Sequence, residues 1–283
     1  MSTFHQPVLL QSACTWLNIQ PKGRYVDATL GGGGHAAEIL RRGGLVLGLD
    51  QDQEALDYVS TLSSFQLALS SKKLILIRAN FIHLEEVVTH QKWQPVSGIL
   101  FDLGASWHQL VTPGRGFSFQ IAGPLDMRMD TGLPNTAADL VNNLSAKQLA
   151  SLLRSYGEIP AALSLAKRII DHKPYTTTAE LATVTGTWSR QAFQALRMAV
   201  NDELTAITTV LPQALKVLRP AGRMVVITFH SLEDRLVKNL FQNWSKTGLG
   251  QTLTPRPVTP DPEELAANPK SHSAKLRVFE KIK

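Results

Sequence analysis

Two carboxylates and a run of glycines are the residues of this chain best suited to chemistry. Residues 24–35 read Arg-Tyr-Val-Asp-Ala-Thr-Leu-Gly-Gly-Gly-Gly-His, an apolar strand that ends at Asp27 and is followed by four glycines. Glycine adopts positive φ at low cost and lets a ligand approach the backbone. A second apolar segment ends at Asp50, 19 residues after Gly31. A βαβ unit presents an acid to a ribose at about that spacing, so the pattern predicts a ribose-bearing cofactor.

The identity of the cofactor follows from the charge beside the glycines. Gly31, Gly33 and Ala36 satisfy the loose pattern G-x-G-x-x-G/A, which leaves a nicotinamide-dependent oxidoreductase as one alternative. However, Asp27 would crowd a pyrophosphate, whereas it could accept hydrogen bonds from an ammonium group. The phosphate-binding pattern G-x-x-x-x-G-K-[ST] is also missing from the chain. S-adenosylmethionine has a ribose, an adenine and a charged methionine end but no phosphate, and it fits better.

Alternating strand-like and helix-like segments must position these residues. The predicted strands are residues 24–28, 45–49, 73–77, 97–101 and 224–229, with a closing edge strand at 275–281. Most are continuous Val/Ile/Leu runs, typical of strands buried on both faces, and they predict a doubly wound parallel α/β sheet. About 120 residues separate the fourth and fifth strands, too many for one crossover. We therefore expect a sheet domain (1–110 and 189–283) with a small helical domain inserted at 111–188, followed by a long helix at 190–211.

Ligands of open α/β sheets lie across the carboxyl ends of the strands, which singles out three further residues. Phe81 follows the third strand and either packs against an adenine or is a core aromatic. Asp102 ends the fourth strand beside Leu-Gly, where we expect it in the site. His230 and Ser231 follow the fifth strand without a G-x-S-x-G pattern, which favours a capping role over hydrolysis.

Composition bounds the class of protein. Of 283 residues, 43% are hydrophobic and 18% charged, which suits a globular enzyme. No apolar run approaches the roughly 18 residues of a membrane span, and the N-terminus lacks the pattern of a signal peptide, so we expect a cytoplasmic protein without a membrane partner. The single Cys14 and the absence of H-E-x-x-H suggest no disulfide and no metal site. A net charge of +6 is compatible with a nucleic-acid partner.

Longer strings resemble one family almost from end to end. They begin at His5-Gln-Pro-Val-Leu-Leu and include the glycine segment 27–35 and Asp102-Leu-Gly. The most specific are Gly123-Pro-Leu-Asp-Met-Arg-Met-Asp130 and Phe229-His-Ser-Leu-Glu-Asp-Arg235. The chain thereby resembles the bacterial MraW/RsmH methyltransferases, which methylate N4 of a cytosine in the decoding region of small-subunit ribosomal RNA.

The resemblance implies a Rossmann-like methyltransferase fold and a set of site residues. It implies that S-adenosylmethionine is held by Gly33, Gly34, His35, Asp50, Phe81, Asp102 and Gln109, to which the charge and spacing arguments add Asp27 and Gly31. It also implies that the inserted domain helps to recognise RNA. The candidate RNA contacts are Arg115, Phe117, Phe119, Arg128, Arg197 and His230. For Phe117 and Phe119 the alternative is packing under the insertion, and for Arg128 it is pairing with Asp126 or Asp130.

The implied reaction is methylation of a single cytosine of 16S rRNA, at the position called 1402. The small ribosomal subunit is the expected partner. A homodimer is a further candidate for an interaction. Asp102, or a backbone carbonyl in the loop after it, is our hypothesis for the group that accepts a hydrogen bond from the target amine. The family pattern is altered at Trp107, His108, Ile159 and Trp188, which bears more on substrate contacts than on the cofactor. An S-adenosylmethionine-binding RNA or assembly module without turnover is therefore the other alternative.

Overall fold

The structure is a computed structural model and describes residues 7–282. Its strands form one seven-stranded sheet. His5 and Gln6 of the N-terminal string lie outside the described residues. The strands are β1 (Arg24–Asp27), β2 (Leu45–Asp50), β3 (Leu74–Arg78), β4 (Val96–Asp102), β5 (Leu218–Thr228), β6 (Gly250–Thr252) and β7 (Lys275–Lys281). Their order is β3-β2-β1-β4-β5-β7-β6. The predicted doubly wound α/β sheet is therefore confirmed.

The predicted strand at 275–281 is confirmed as β7, but its predicted place at the edge of the sheet is wrong. β1 to β5 pair in parallel, whereas β7 runs antiparallel between β5 and β6. The charged Arg277, which gives β7 its alternating character, is buried, and its Nε donates to Oδ1 of Asp234 at 2.6 Å. A buried cation is tolerated when it is paired, so Arg277 does not mark a solvent edge.

Fourteen α-helices are described within residues 7–282. In chain order they are α1 (Leu10–Trp16), α2 (Gly34–Arg41), α3 (Gln53–Thr61), α4 (Ser63–Ser70), α5 (Leu84–His90), α6 (Trp107–Val111), α7 (Ala137–Asn143), α8 (Ala146–Gly157), α9 (Ala162–Asp171), α10 (Thr178–Thr185), α11 (Ser189–Val200), α12 (Glu203–Val217), α13 (Ser231–Lys246) and α14 (Pro262–Ala267). None of these described helices has the length and apolar character needed to cross a membrane.

Alternation along the strands divides the sheet unit into two apolar layers. Ile99 and Phe101 of β4 face a cluster that includes residues of α5, α12 and α13. Leu100, between them, belongs to a second cluster with residues of α1, α2, α3 and α4. Successive side chains of a strand point to opposite faces of the sheet. Because helices cover both faces, the side chains on both are apolar, and the strands read as continuous apolar runs.

The chain divides into two compact units, residues 1–104 with 204–283, and residues 105–203. The second unit extends beyond the predicted 111–188 at both ends, because residues 105–110 and α11 also belong to it. Phe193 and Leu196 of α11 are buried in the same cluster as Leu149 and Leu153 of α8. An amphipathic helix belongs to the core that its apolar face enters, and that core is the one of the second unit.

The predicted long helix at 190–211 is also wrong, since it is broken between α11 and α12. Asp202 has a left-handed φ of 48°, which ends the first helix. Asn201 beside it binds a distant loop: its Oδ1 accepts from Met129 N at 2.8 Å and its Nδ2 donates to Met127 O at 2.8 Å. The next helix then continues through Pro212. Tertiary contacts outweigh local propensity at both places.

Candidate cofactor and active site

The carboxyl ends of β1, β2 and β4 bring three aspartates to one edge of the sheet. The strand order reverses between β1 and β4, which is where open α/β sheets bind their ligands. Asp27 is the last residue of β1, Asp50 the last of β2 and Asp102 the last of β4. β1 pairs in parallel with both β2 and β4, so the carboxyl ends of the three strands lie at the same edge of the sheet. The three carboxylates therefore lie at that edge.

The glycine turn after β1 supplies the floor of this site. Gly31 and Gly33 have φ of 49° and 77°, conformations that favour glycine, and α2 begins at Gly34. A Cβ on Gly33 would lie 2.9 Å from Cζ of Phe65. The turn thus combines left-handed backbone with close packing, and it places the N-terminus of α2 beside the strand ends.

Asp27 is fully buried and its two oxygens are unequal. Oδ1 accepts from Thr29 N at 3.3 Å, whereas Oδ2 has no hydrogen-bond partner within residues 7–282. Burial, and then repulsion by Asp50, raise the pKa of Asp27 to about 7, although backbone N–H groups of Thr29 and Ala36 partly offset this. A buried carboxylate oxygen without a partner suits a ligand cation such as an ammonium group.

Asp50 is held in one orientation by backbone N–H groups. Its Oδ2 accepts from Gly31 N at 2.8 Å and its Oδ1 accepts from Asp52 N at 2.9 Å. Burial raises the pKa of Asp50 to about 6 despite these bonds. A carboxylate has about four acceptor positions, so the group can also accept from the vicinal hydroxyls of a ribose.

Asp102 lies beside a histidine and a threonine. Its backbone N–H donates to Oγ1 of Thr29 at 2.6 Å, and its Oδ2 lies 3.9 Å from Nδ1 of the buried His35. Burial, and then the carboxylates of Asp27 and Glu233, raise the pKa of Asp102 well above the usual range. A carboxylate in such surroundings is a stronger base than one in water.

Phe81 follows β3 in a 3-10 turn that Asn80 caps. The Asn80 Oδ1 accepts from Ile82 N at 3.0 Å, and the half-buried Phe81 ring packs edge-on against Phe101 with centroids 6.1 Å apart. The ring therefore takes part in the core, and the structure agrees with that alternative. A role against an adenine stays a prediction.

Gln109 lies in the second unit, where it serves as a helix cap. Its Oε1 accepts from Ser106 N at 3.0 Å, and its own N–H donates to Oγ of Ser106 at 3.2 Å, which forms a capping box at the start of α6. Its predicted contact with the cofactor stays a prediction.

Several predicted RNA contacts are structural in this conformation. Arg115 is buried and its Nη2 donates to the carbonyls of Arg128 and Met129 at 3.1 and 3.0 Å. Phe117 is buried, and the half-buried Phe119 packs against Phe193 with ring centroids 5.9 Å apart. Since stacking on a base needs an exposed face, the structure does not support RNA contacts for Arg115 and Phe117.

The remaining three candidates have protein partners as well. Arg128 forms two bonds to Asp126, from Nε to Oδ1 at 2.8 Å and from Nη2 to Oδ2 at 2.7 Å, which is the alternative of pairing with a flanking acid. His230 caps α13, where its Nδ1 accepts from Glu233 N at 3.4 Å. The capping interpretation of His230 is confirmed by this contact.

Arg197 forms a mostly buried, two-pronged ion pair with Glu203, with N–O distances of 2.7 and 2.9 Å. We expect Arg197→Met to lower the free energy of unfolding by about 3 to 5 kcal/mol, because it leaves a buried carboxylate unpaired. Urea denaturation measures this loss. Arg197→Lys, which keeps the charge without the planar fork, should lose less. A loss below about 1 kcal/mol together with weakened RNA binding would instead make Arg197 an RNA contact.

Burial of Asp27 predicts a pH-dependent stability of the ligand-free protein. A folded-state pKa of about 7 against an ordinary 3.8 means that folding retains a proton, so stability falls as pH rises between these values. The shift corresponds to a loss of up to roughly 4 kcal/mol. Asp27→Asn should make the decline between pH 4 and pH 7 shallower, with Asp50 supplying part of what is left. Equal slopes for the variant and the parent in urea titrations would contradict this.

Sequence reasoning missed Thr29, which joins two of the three aspartates. Its backbone N–H donates to Asp27, and its hydroxyl accepts from the backbone of Asp102, 73 residues away. The sequence could have indicated Thr29, because its hydroxyl lies between the acid Asp27 and the glycine turn. Only the pairing of β1 with β4 shows what that hydroxyl binds.

A sheet of this order, with an antiparallel seventh strand, a glycine turn after β1 and acids after β1, β2 and β4, defines a Rossmann-like S-adenosylmethionine-dependent methyltransferase. The residues present fit that cofactor, because the partnerless Oδ2 of Asp27 can receive an ammonium group and Asp50 a ribose. No phosphate-binding group is needed.

Comparison of the sequence with known proteins identifies the family. Residues 2–282 match the MraW methylase family. The ribosomal RNA small subunit methyltransferase H of Thermomicrobium roseum is 44% identical over 100% of this chain and 95% of its own length, and that of Carboxydothermus hydrogenoformans is 43% identical over 100% and 99%. A solved rRNA methylase from Streptococcus thermophilus aligns with a TM-score of 0.48 at 12% identity over 98% of both chains. The chain belongs to the MraW methylase family.

Proposed function

We propose that this protein transfers a methyl group from S-adenosylmethionine to N4 of one cytosine in the decoding region of 16S rRNA, at the position called 1402, and that it acts on the small ribosomal subunit. The observation that carries the methyl transfer is the set of aspartates at the strand switch, with an unpartnered oxygen on Asp27. Full-length similarity to proteins named ribosomal RNA small subunit methyltransferase H supports the choice of RNA. The specific strings in segments 123–130 and 229–235 support the choice of base.

Each cofactor residue would bind a different part of S-adenosylmethionine. Asp27 receives the ammonium group, Asp50 receives the ribose hydroxyls and Phe81 packs against the adenine. The backbone of the turn and of the first residues of α2 lets the methionine end approach closely. The residues of that turn are Gly31, Gly33, Gly34 and His35. Gln109 is the remaining residue of the proposed set.

The chemistry depends mainly on position. The bound cofactor supplies a methyl group that is already activated on a sulfonium. The exocyclic nitrogen of cytosine is a poor nucleophile, because its lone pair is conjugated into the ring, so it must be held in line with the methyl carbon. Asp102 accepts a hydrogen bond from the amine as that nitrogen gains positive charge, which stabilises the transition state.

The RNA must present an unstacked base. A cytosine inside a helix cannot reach an acid at a strand end, so we expect the target in a single-stranded or flipped conformation. The helical unit at 105–203 would recognise the surrounding RNA. Because Arg115 and Phe117 are buried, this role falls to other side chains of that unit.

Transfer of a labelled methyl group from S-adenosylmethionine tests the proposal. The acceptors are small ribosomal subunits that lack the modification, with naked 16S rRNA and DNA in parallel. We expect label on N4 of a single decoding-region cytosine of the subunit. Cofactor binding without transfer to any acceptor would leave a binding module, and label on another base would overturn the choice of substrate.

A further inference from the structure

A contact with the backbone determines which nitrogen of the His35 ring carries a hydrogen. His35 is the second residue of α2. The ring is buried, and its Nε2 lies 3.1 Å from the carbonyl oxygen of Val8. A carbonyl oxygen only accepts hydrogen bonds, so Nε2 must carry the hydrogen of this contact. In a neutral ring, the other nitrogen, Nδ1, then presents a lone pair.

The segment that supplies the carbonyl is itself fixed in place. A Cβ on Gly34 would lie 2.7 Å from Cγ of Pro7, so the segment packs closely over the start of α2. Leu9 has a left-handed φ of 52°, and its backbone N–H donates to Oε1 of Glu264 in α14. Val8 lies between these two anchored residues, and its carbonyl therefore has a defined position opposite the His35 ring.

On its other side the ring faces Asp102. Nδ1 of His35 lies 3.9 Å from Oδ2 of Asp102, and both side chains are largely buried. A lone pair and a carboxylate repel each other, so this approach is favourable only when a proton lies between them, on either atom. The distance exceeds that of a hydrogen bond, but such contacts are commonly long without ligands and shorten in the reacting complex.

The neighbouring charges favour proton uptake by this pair. Burial raises the pKa of Asp102, and the carboxylates of Asp27 and Glu233 raise it further. His35 is a basic side chain that lies next to Asp102. Negative charge around a buried pair stabilises the form that holds an additional proton.

We propose that His35 is a positioning residue that shares a proton with Asp102 and sets the strength of Asp102 as a base. The inference rests on the proposed function. In the reaction, the nitrogen lone pair forms the new N–C bond while the C–S bond electrons stay on sulfur. The methylated nitrogen then loses one proton to the Asp102 carboxylate, and His35 Nδ1 stabilises that proton until it leaves for solvent.

The first test observes His35 without turnover, by ¹⁵N NMR of the full-length chain with labelled histidine. His35→Gln identifies the His35 signals among those of the eight histidines. We expect a hydrogen on Nε2 throughout and a titration midpoint that falls by about one pH unit or more in Asp102→Asn, since an opposite charge favours the protonated ring. A hydrogen on Nδ1 alone, or an unchanged midpoint in Asp102→Asn, would overturn the proposal.

The second test uses two variants that each keep one half of the ring's contacts. His35→Gln retains a donor that reaches Val8 but nothing aimed at Asp102, whereas His35→Asn places an amide near the position of Nδ1. We expect kcat of His35→Gln to fall about 10- to 100-fold with a shifted pH profile, and His35→Asn to recover part of that rate with a flatter profile. Affinity for S-adenosylhomocysteine, by calorimetry, reports separately on the cofactor site.

The outcomes separate this inference from the proposed function. If the NMR results hold but the parent protein methylates no acceptor, the proton-sharing pair stands and the proposed function fails. If the parent protein is active and both variants keep its pH profile, the proposed function stands and His35 is only part of the structure.

Discussion

Asp102→Asn is expected to lower kcat by about 100- to 10,000-fold, the range over which a positioned proton acceptor contributes. Asparagine has nearly the same shape and keeps an oxygen that accepts hydrogen bonds, but it cannot take up the proton that the methylated amine must lose. Single-turnover methyl transfer to unmodified small subunits measures the effect without interference from product release.

The stability of Asp102→Asn should not fall together with its activity, which separates a loss of chemistry from a loss of folding. The substitution removes a buried carboxylate that is repelled by Asp27 and Glu233, so the folded state should be unchanged or more stable in urea. A matched control is Asp57→Asn, the same change at an exposed position on α3. Turnover of Asp102→Asn within a few fold of the parent would show that another group, such as a backbone carbonyl, accepts the proton.

Gly33→Ala is expected to weaken binding of S-adenosylhomocysteine by about 10- to 100-fold. Its φ of 77° costs an L-residue roughly 1 to 2 kcal/mol, and its new Cβ would lie 2.9 Å from Phe65 and 3.1 Å from Cγ2 of Val59. Relief of this crowding moves the turn, and each 1.4 kcal/mol lost from binding is a tenfold change in Kd. Isothermal calorimetry gives the Kd, and urea denaturation gives the accompanying loss of stability.

Two other glycines separate backbone strain from crowding. Gly31→Ala adds a Cβ at a φ of 49° where the nearest atom is 4.0 Å away, so it tests strain alone and should cost less than Gly33→Ala. Gly114→Ala meets nothing within 4 Å and lies at ordinary φ, so it should be close to neutral. Equal Kd values for all three variants would mean that the turn does not hold the cofactor.

The sheet and the main cofactor residues could be predicted because their signals are local. A buried strand is a short apolar run, a left-handed turn calls for glycine, and an acid at a strand end follows the register of parallel strands. The sequence accordingly predicts Asp27, Asp50 and Asp102 at strand ends, and the three residues do lie at one edge of the sheet.

The charged side chains could not be assigned in the same way. Arg277 resembles a solvent-facing residue of an edge strand until its partner Asp234, 43 positions away, is known. Arg115 resembles an RNA contact until it is seen to bind the carbonyls of residues 128 and 129. A sequence pattern records which groups carry charge, but the pairing of those groups depends on distant residues.

The sequence by itself determined the α/β class, the glycine turn, the acids of the site and the family, because each depends on residue types at short or fixed spacing. Only the tertiary structure decided the interior place of β7, the break between α11 and α12, and the contacts of His35 with Val8 and Asp102. These features depend on which segments come into contact when the chain folds. The free energy gained by burial and by pairing at those contacts exceeds the local conformational propensities of the residues.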